Sequence, residues 1–232
     1  MEEGKDFEDL DERELNELGN AYSSQGMWEE AIRSYLRSLA LRKAQGDIRG
    51  QGIVLNNLGA VYYNQRRYQE ARECYEGSRQ IAHELEEELS ELVALMNLAF
   101  LQFTEGQTEE FLRYADEAED IALELERWEP LSKLSWLRGR LAMSDSEAYE
   151  EGLARYADAL RYAAREGEDD LSAMMDRVDA QAERLLLEGA RGMALVLYDY
   201  LQAFMQEQGF SEEVLAHLGS KREEILQRPS LS

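Results

Sequence analysis

The residues that carry most protein chemistry are few in this sequence. Its two histidines, His83 and His217, fall in unrelated stretches, and Cys74 is its one cysteine. "HELEE", which starts at His83, lacks the second histidine that a helical zinc-protease motif needs on the same face. A lone cysteine excludes an internal disulfide and a cysteine zinc cluster, and it fits a reducing compartment. The sequence holds no glycine-rich phosphate loop and no nucleophile elbow. Acidic pairs abound, as in "YADEAEDIALELERWE" from Tyr114. In so acidic a chain such runs describe solvated helix faces better than a general acid and base. The expectation is a protein without catalytic residues, metal ligands or cofactor, and so not an enzyme.

Binding chemistry is better represented. Asn57 and Asn97 occupy matching places in "NNLG" and "MNLA". An amide side chain offers a donor and an acceptor together, so a row of them pairs with a peptide backbone whatever that peptide's side chains. The alternative is ordinary surface asparagine, although Asn is a mediocre helix former and two in register need a cause. Phe100, Phe103, Trp136 and Met143 also recur at helical spacing. Exposed together they would form an apolar patch that marks a partner site, and the same spacing equally describes a core.

Composition sets the elements that must position these groups. Two prolines and sixteen glycines in 232 residues, with abundant Leu, Ala, Glu and Arg, favour long helices and an all-α chain. Apolar residues make up 44%, enough for a core without staples. The formal net charge of −24 repels phosphate backbones and anionic headgroups, so nucleic acid and membrane surfaces are not expected partners. The surplus fits a partner of basic character, and it also serves solubility. No apolar run reaches membrane-spanning length. The start, "MEEGKDFEDLDEREL", carries acids where a secretory signal carries basic residues and then an apolar stretch, which points to a cytoplasmic protein.

Periodicity decides the fold class. Gly19, Gly59, Ala99 and Gly139 stand 40 residues apart, each inside an amphipathic stretch such as Leu15, Leu18 and Tyr22 or Leu55, Leu58 and Tyr62. Ala31 with Tyr35, then Ala71 with Tyr75, follow at a fixed offset after turns such as "SSQGMWEE". Each unit reads as a helical hairpin, the tyrosine of one helix filling the space over the small residue of the other. In the third unit Phe111 takes the small position and Ala115 the aromatic one, an exchange that conserves volume. A fourth unit keeps Gly139, Gly152 and Tyr156 with one extra residue in its turn, and a fifth keeps Gly189, Ala194 and Tyr198.

"LNELGNAYSSQGMWEEAIRSYLRSLALRKA" resembles the tetratricopeptide repeat: leucine, leucine-glycine and tyrosine on the first helix, then alanine, an aromatic and a small residue on the second. The 40-residue spacing resembles the long-helix form found in kinesin light chain and in bacterial regulatory repeat domains. The proline usual at the end of a repeat is absent, in keeping with longer second helices. The resemblance implies an all-α, right-handed α-solenoid of about five helical hairpins plus a C-terminal capping helix. Its expected repeats run over 12–48, 52–88, 92–127, 130–166 and 169–208, with the capping helix at 211–227. These form a single superhelical domain over 11–228, between a flexible tail at 1–10 and a loose end at 229–232.

In this family the concave surface lined by the first helices receives partner segments. Carried onto this sequence, the expected peptide-binding residues are Asn16, Asn20, Asn57, Asn64, Asn97, Tyr63, Phe100, Phe103, Trp136 and Arg140. The reading is a non-catalytic scaffold or adaptor that binds a peptide or helical segment of another protein. The rival reading is a regulatory sensor that responds to a signalling peptide or small ligand, although the usual attached effector domain is not expected here. A homo-oligomer is compatible with the sequence and not indicated by it.

Overall fold

The computed structural model describes residues 7–143 and 148–228. The ends expected to be loose therefore lie largely outside the described residues. Phe7–Asp9 forms a single 3-10 turn, held by Arg37, which donates to the Glu8 carbonyl, pairs with its carboxylate and covers the Phe7 ring.

Eleven α-helices follow among the described residues, and no strand. They are α1 (Glu12–Ser24), α2 (Trp28–Gln45), α3 (Ile48–Asn64), α4 (Tyr68–Glu84), α5 (Glu88–Glu105) and α6 (Thr108–Glu124), then α7 (Trp128–Ala142), α8 (Tyr149–Glu166), α9 (Glu168–Leu187), α10 (Arg191–Glu207) and α11 (Glu212–Gln227). Pairs α1/α2, α3/α4, α5/α6, α7/α8 and α9/α10 are hairpins, and α11 closes on α10. The helices fall into two compact units, residues 1–125 and 126–232.

In the first unit the period of the sequence becomes a period of turns. Asp11 starts α1 with a capping box: its carboxylate accepts from the Arg13 and Glu14 amides while Glu14 accepts from the Asp11 amide at 2.9 Å. Turns inside successive hairpins place Gly26, Arg66 and Gly106 in the left-handed region, at φ of 73°, 60° and 72°. Turns between its hairpins do the same with Gly46 and Glu86, and Glu126, the first residue of the second unit, also has a positive φ of 52°. Arginine and glutamate pay a steric cost there that glycine avoids. The repeat geometry holds these turns even where their chemistry is poor.

The contact that fixes each hairpin is a tyrosine ring laid on a bare helix backbone. A Cβ added at Gly19 would lie 2.5 Å from the Tyr35 ring, and one at Gly59 would lie 2.7 Å from the Tyr75 ring. In the second unit the Gly139 and Tyr156 pair repeats this at 2.5 Å. The third hairpin uses the expected exchange: Ala99 and Ala115 are both fully buried and Phe111 fills the space at 1% exposure.

Adjacent hairpins of the first unit are tied by α2 to α3. Asp47 caps α3 by accepting from the Gly50 amide at 2.9 Å and also receives the buried Arg42 guanidinium. Those bonds, the Gly50 amide first and Arg42 after it, hold the Asp47 carboxyl below the usual carboxylate range.

Candidate functional site

The first helices α1, α3 and α5 of the first unit lie side by side, and their asparagines meet across the repeats. The Asn57 amide donates to Asn16 at 3.2 Å and to Asn20 at 3.4 Å, and Asn97 donates to Asn56 at 2.8 Å. Asn20 also accepts from the Tyr35 hydroxyl at 2.6 Å. Farther along the same helices the Tyr63 and Thr104 hydroxyls are 2.8 Å apart. The row expected from "NNLG" and "MNLA" is therefore a ladder that links repeats. It spends part of its hydrogen-bonding capacity on itself.

Beside the ladder, α3, α5 and the end of α4 enclose a cleft of about 240 Å³. Ile53, Leu89 and Val93 line it with 50%, 51% and 44% of their surfaces exposed. Asn56 and Asn57 flank it, and Gly52 with Ile81 forms its floor. Arg49, paired with Glu87, stands at its edge. Three aliphatic side chains left half in water on adjacent helices form an apolar strip next to amide groups, which suits a partner side chain flanked by backbone.

The remaining expected residues divide. Asn64 is exposed, and Phe100 and Phe103 are half-buried on the same helices. Phe103 packs edge-on against Phe111 with ring centroids 5.3 Å apart, so part of its surface belongs to the hairpin core. Trp136 and Arg140 stand on α7 in the second unit. Trp136 is core and not a groove aromatic: it is 7% exposed, its ring 4.6 Å from Tyr156. Its position corresponds to Asn16, Asn56 and Met96 of the earlier hairpins: the amides there stay half-buried, whereas the large apolar side chains Met96 and Trp136 pack inward, Trp136 on the Tyr156 ring. Met143 and Met96 are buried as well.

Ile53, Leu89, Val93 and Arg49 escaped the sequence reading. A usable signal existed: Ile53 and Val93 stand four residues before Asn57 and Asn97, one turn back on the same stripe.

Other chemistry is thin. His83 lies 3.2 Å from both oxygens of Glu91, which also faces Arg79. His217 is 2.9 Å from Asp179, which accepts the Tyr198 hydroxyl at 2.7 Å. Burial pushes the Cys74 thiol up to about 11, which keeps it protonated and a poor nucleophile near neutral pH. Among the described residues no group of three or more His, Cys, Asp or Glu is placed to hold a metal ion. No helix among them is long and apolar enough to cross a membrane.

Tetratricopeptide repeat family models match residues 14–49 and 50–124. No curated protein matches the chain. Among solved structures, aspartyl phosphate phosphatase F from Bacillus subtilis is similar with a TM-score of 0.64 at 10% identity. That likeness covers 99% of this chain and 63% of that one, so this chain spans less than two thirds of its length. The nearly identical repeats of a kinesin light chain from Podosopora anserina are similar with a TM-score of 0.51 at 17% identity, covering 94% of this chain and 97% of that one. At these identities the likeness concerns the fold. Its hairpins, its glycine and tyrosine contacts and these matches identify residues 14–124 as tetratricopeptide repeats, in a chain that resembles both solved structures in fold.

Proposed function

We propose that the chain is a non-catalytic interaction module that holds a segment of another protein against α1, α3 and α5. The observation that carries this is the cleft beside the asparagine ladder, where Ile53, Leu89 and Val93 are half exposed. A large apolar side chain of the partner fills the cleft, and its flanking backbone pairs with amide groups of the ladder. The Asn57 and Asn97 carbonyls and the Asn16 and Asn56 amino groups have no hydrogen bond among the described residues and face that role. The net charge of −24 favours a partner of basic character. The ladder supplies sequence-independent contacts, the cleft supplies selectivity, and neither calls for catalysis.

The test is a partner retrieved with the wild-type chain from its source cells, identified, and then titrated against variants. Each half-exposed aliphatic contributes about 1 kcal/mol when covered. Ile53→Ser with Val93→Ser should therefore weaken binding about thirtyfold, with helicity unchanged. Leu36→Ser with Leu123→Ser, equally exposed on α2 and α6, should leave binding intact. Equal losses from both pairs would refute the placement.

A second reading, a sensor of a signalling peptide or small ligand, draws on the likeness to aspartyl phosphate phosphatase F along nearly all of this chain. A ligand that raises the melting temperature in a concentration-dependent way, with no protein partner recovered, would favour it.

A further inference from the structure

The second unit carries a cleft of its own, part polar and part apolar, of about 490 Å³, where the first half of α9 meets the start of α11 near the last turn of α8. Leu171, Met175, Phe210 and Val214 supply its apolar wall, and Met175 is buried to 7% exposure. Its volume lies within the range of about 300–1,000 Å³ common to ligand pockets.

Acids dominate the rim. Glu168, Asp176 and Glu213 line it together with His217, whose ring lies 2.9 Å from Asp179, and among the described residues no lysine or arginine does. Two acids farther along α9 are occupied: Asp179 faces His217 and Lys221, and Glu183 pairs with Arg228. The three rim carboxylates have no such partner among the described residues. Two of them have a structural duty, since Glu168 and Glu213 sit in the first turns of α9 and α11 and offset the positive ends of those helices. Each helix end amounts to about half a charge. Set against three carboxylates, the two ends leave the rim negative by about two charges. Asp176, in the middle of α9, has no helix end to serve.

We propose that this cleft docks a basic segment of a partner protein, in which a large apolar side chain stands beside lysine or arginine. The apolar side chain rests on Met175, Phe210 and Val214, and the cation reaches Asp176 and Glu213 at the rim. Charge complementarity selects this occupant over an acidic or neutral one, and the apolar wall selects it over a bare polyamine. The site is separate from the cleft of the first unit and goes beyond the function proposed for it.

The test uses a fluorescein-labelled Lys-Leu-Arg-Leu-Lys peptide and the full chain in fluorescence anisotropy. Asp176→Asn with Glu213→Gln should weaken binding about fivefold, as expected for two rim-exposed charge contacts. Glu109→Gln with Glu110→Gln, an exposed pair on α6 that changes net charge equally, should change it less than twofold. A peptide with serine in place of both leucines should bind about tenfold more weakly. Equal effects of the two pairs would reduce the attraction to diffuse charge and overturn the site. Full binding of the serine peptide, or displacement by spermine at equal concentration, would overturn the apolar part. All substituted positions are exposed, so circular dichroism should match wild type, and since both pairs remove first-turn carboxylates the thermal midpoint should fall only slightly in each.

Discussion

Gly59→Ala reverses the usual effect of placing alanine in a helix. On an open helix face the change gains about 1 kcal/mol, because glycine costs backbone entropy that alanine does not. Here the new Cβ would stand 2.7 Å from two carbons of the Tyr75 ring, and that ring is 3% exposed and has no free side to move into. Overpacking of this kind costs about 1–3 kcal/mol. Net of the helix gain of about 1 kcal/mol, the variant should lose up to about 2 kcal/mol. Replacing the ring removes the clash, so in a Tyr75→Leu background Gly59→Ala should become stabilising by about 1 kcal/mol. The coupling between the two positions is then about 2 kcal/mol, well above the error of a double-mutant cycle. Urea unfolding of the four proteins, followed by helicity and compared at equal slope, gives each free energy. If Gly59→Ala stabilises the wild-type chain, or acts equally in both backgrounds, the ring does not lie on the glycine as described.

Four further substitutions test other contacts of the fold. Asp47→Ala removes the α3 cap and strands the buried Arg42, and should cost about 2–3 kcal/mol at pH 7 by urea unfolding. The Asp47 carboxyl is held below its unfolded value of about 3.9, so its stabilisation is present above that pH and lost as pH falls through the folded value; the gap between wild type and variant should close on acidification below about pH 4. Arg66→Gly should stabilise by about 0.5–1 kcal/mol in thermal unfolding, because Arg66 occupies the turn position where Gly26 and Gly106 stand, at φ of 60°. Tyr156→Phe should be neutral or stabilising by up to about 1 kcal/mol, since its buried hydroxyl has no partner among the described residues. Tyr198→Phe should cost about 1 kcal/mol, since its hydroxyl donates to Asp179.

Fold class was legible because the repeat writes packing directly into sequence. Gly19 with Tyr35 and Gly59 with Tyr75 can be read as a ring over a bare backbone, and their 40-residue recurrence sets the hairpins. Even the exchange at Phe111 and Ala115 follows from conserving volume. The groove is harder to read, because an aliphatic residue at helical spacing looks the same whether it faces a core or water. Ile53 and Leu58 differ in the structure by 50% against 2% exposure, yet both are branched aliphatics on one helix. What separates them is their neighbour: Leu58 packs inside the core cluster that α3 shares with α2 and α4, whereas Ile53 faces the gap between consecutive first helices. Trp136 failed in the opposite direction, since its large apolar ring packs on Tyr156 where the equivalent Asn16 and Asn56 stay half-buried. The asparagines stand in register across the repeats, as "NNLG" and "MNLA" place them, but their mutual bonds depend on the distance between repeats, which no single repeat encodes.

A photo-crosslinking residue in place of Val93 on α5 probes the proposed groove most directly, with the same residue in place of Glu73 on the exposed side of α4 as the comparison. The account predicts that irradiation in source cells joins one partner segment to position 93 and leaves position 73 unlinked. Recovery of that partner through position 73 alone, or through both positions equally, would contradict it.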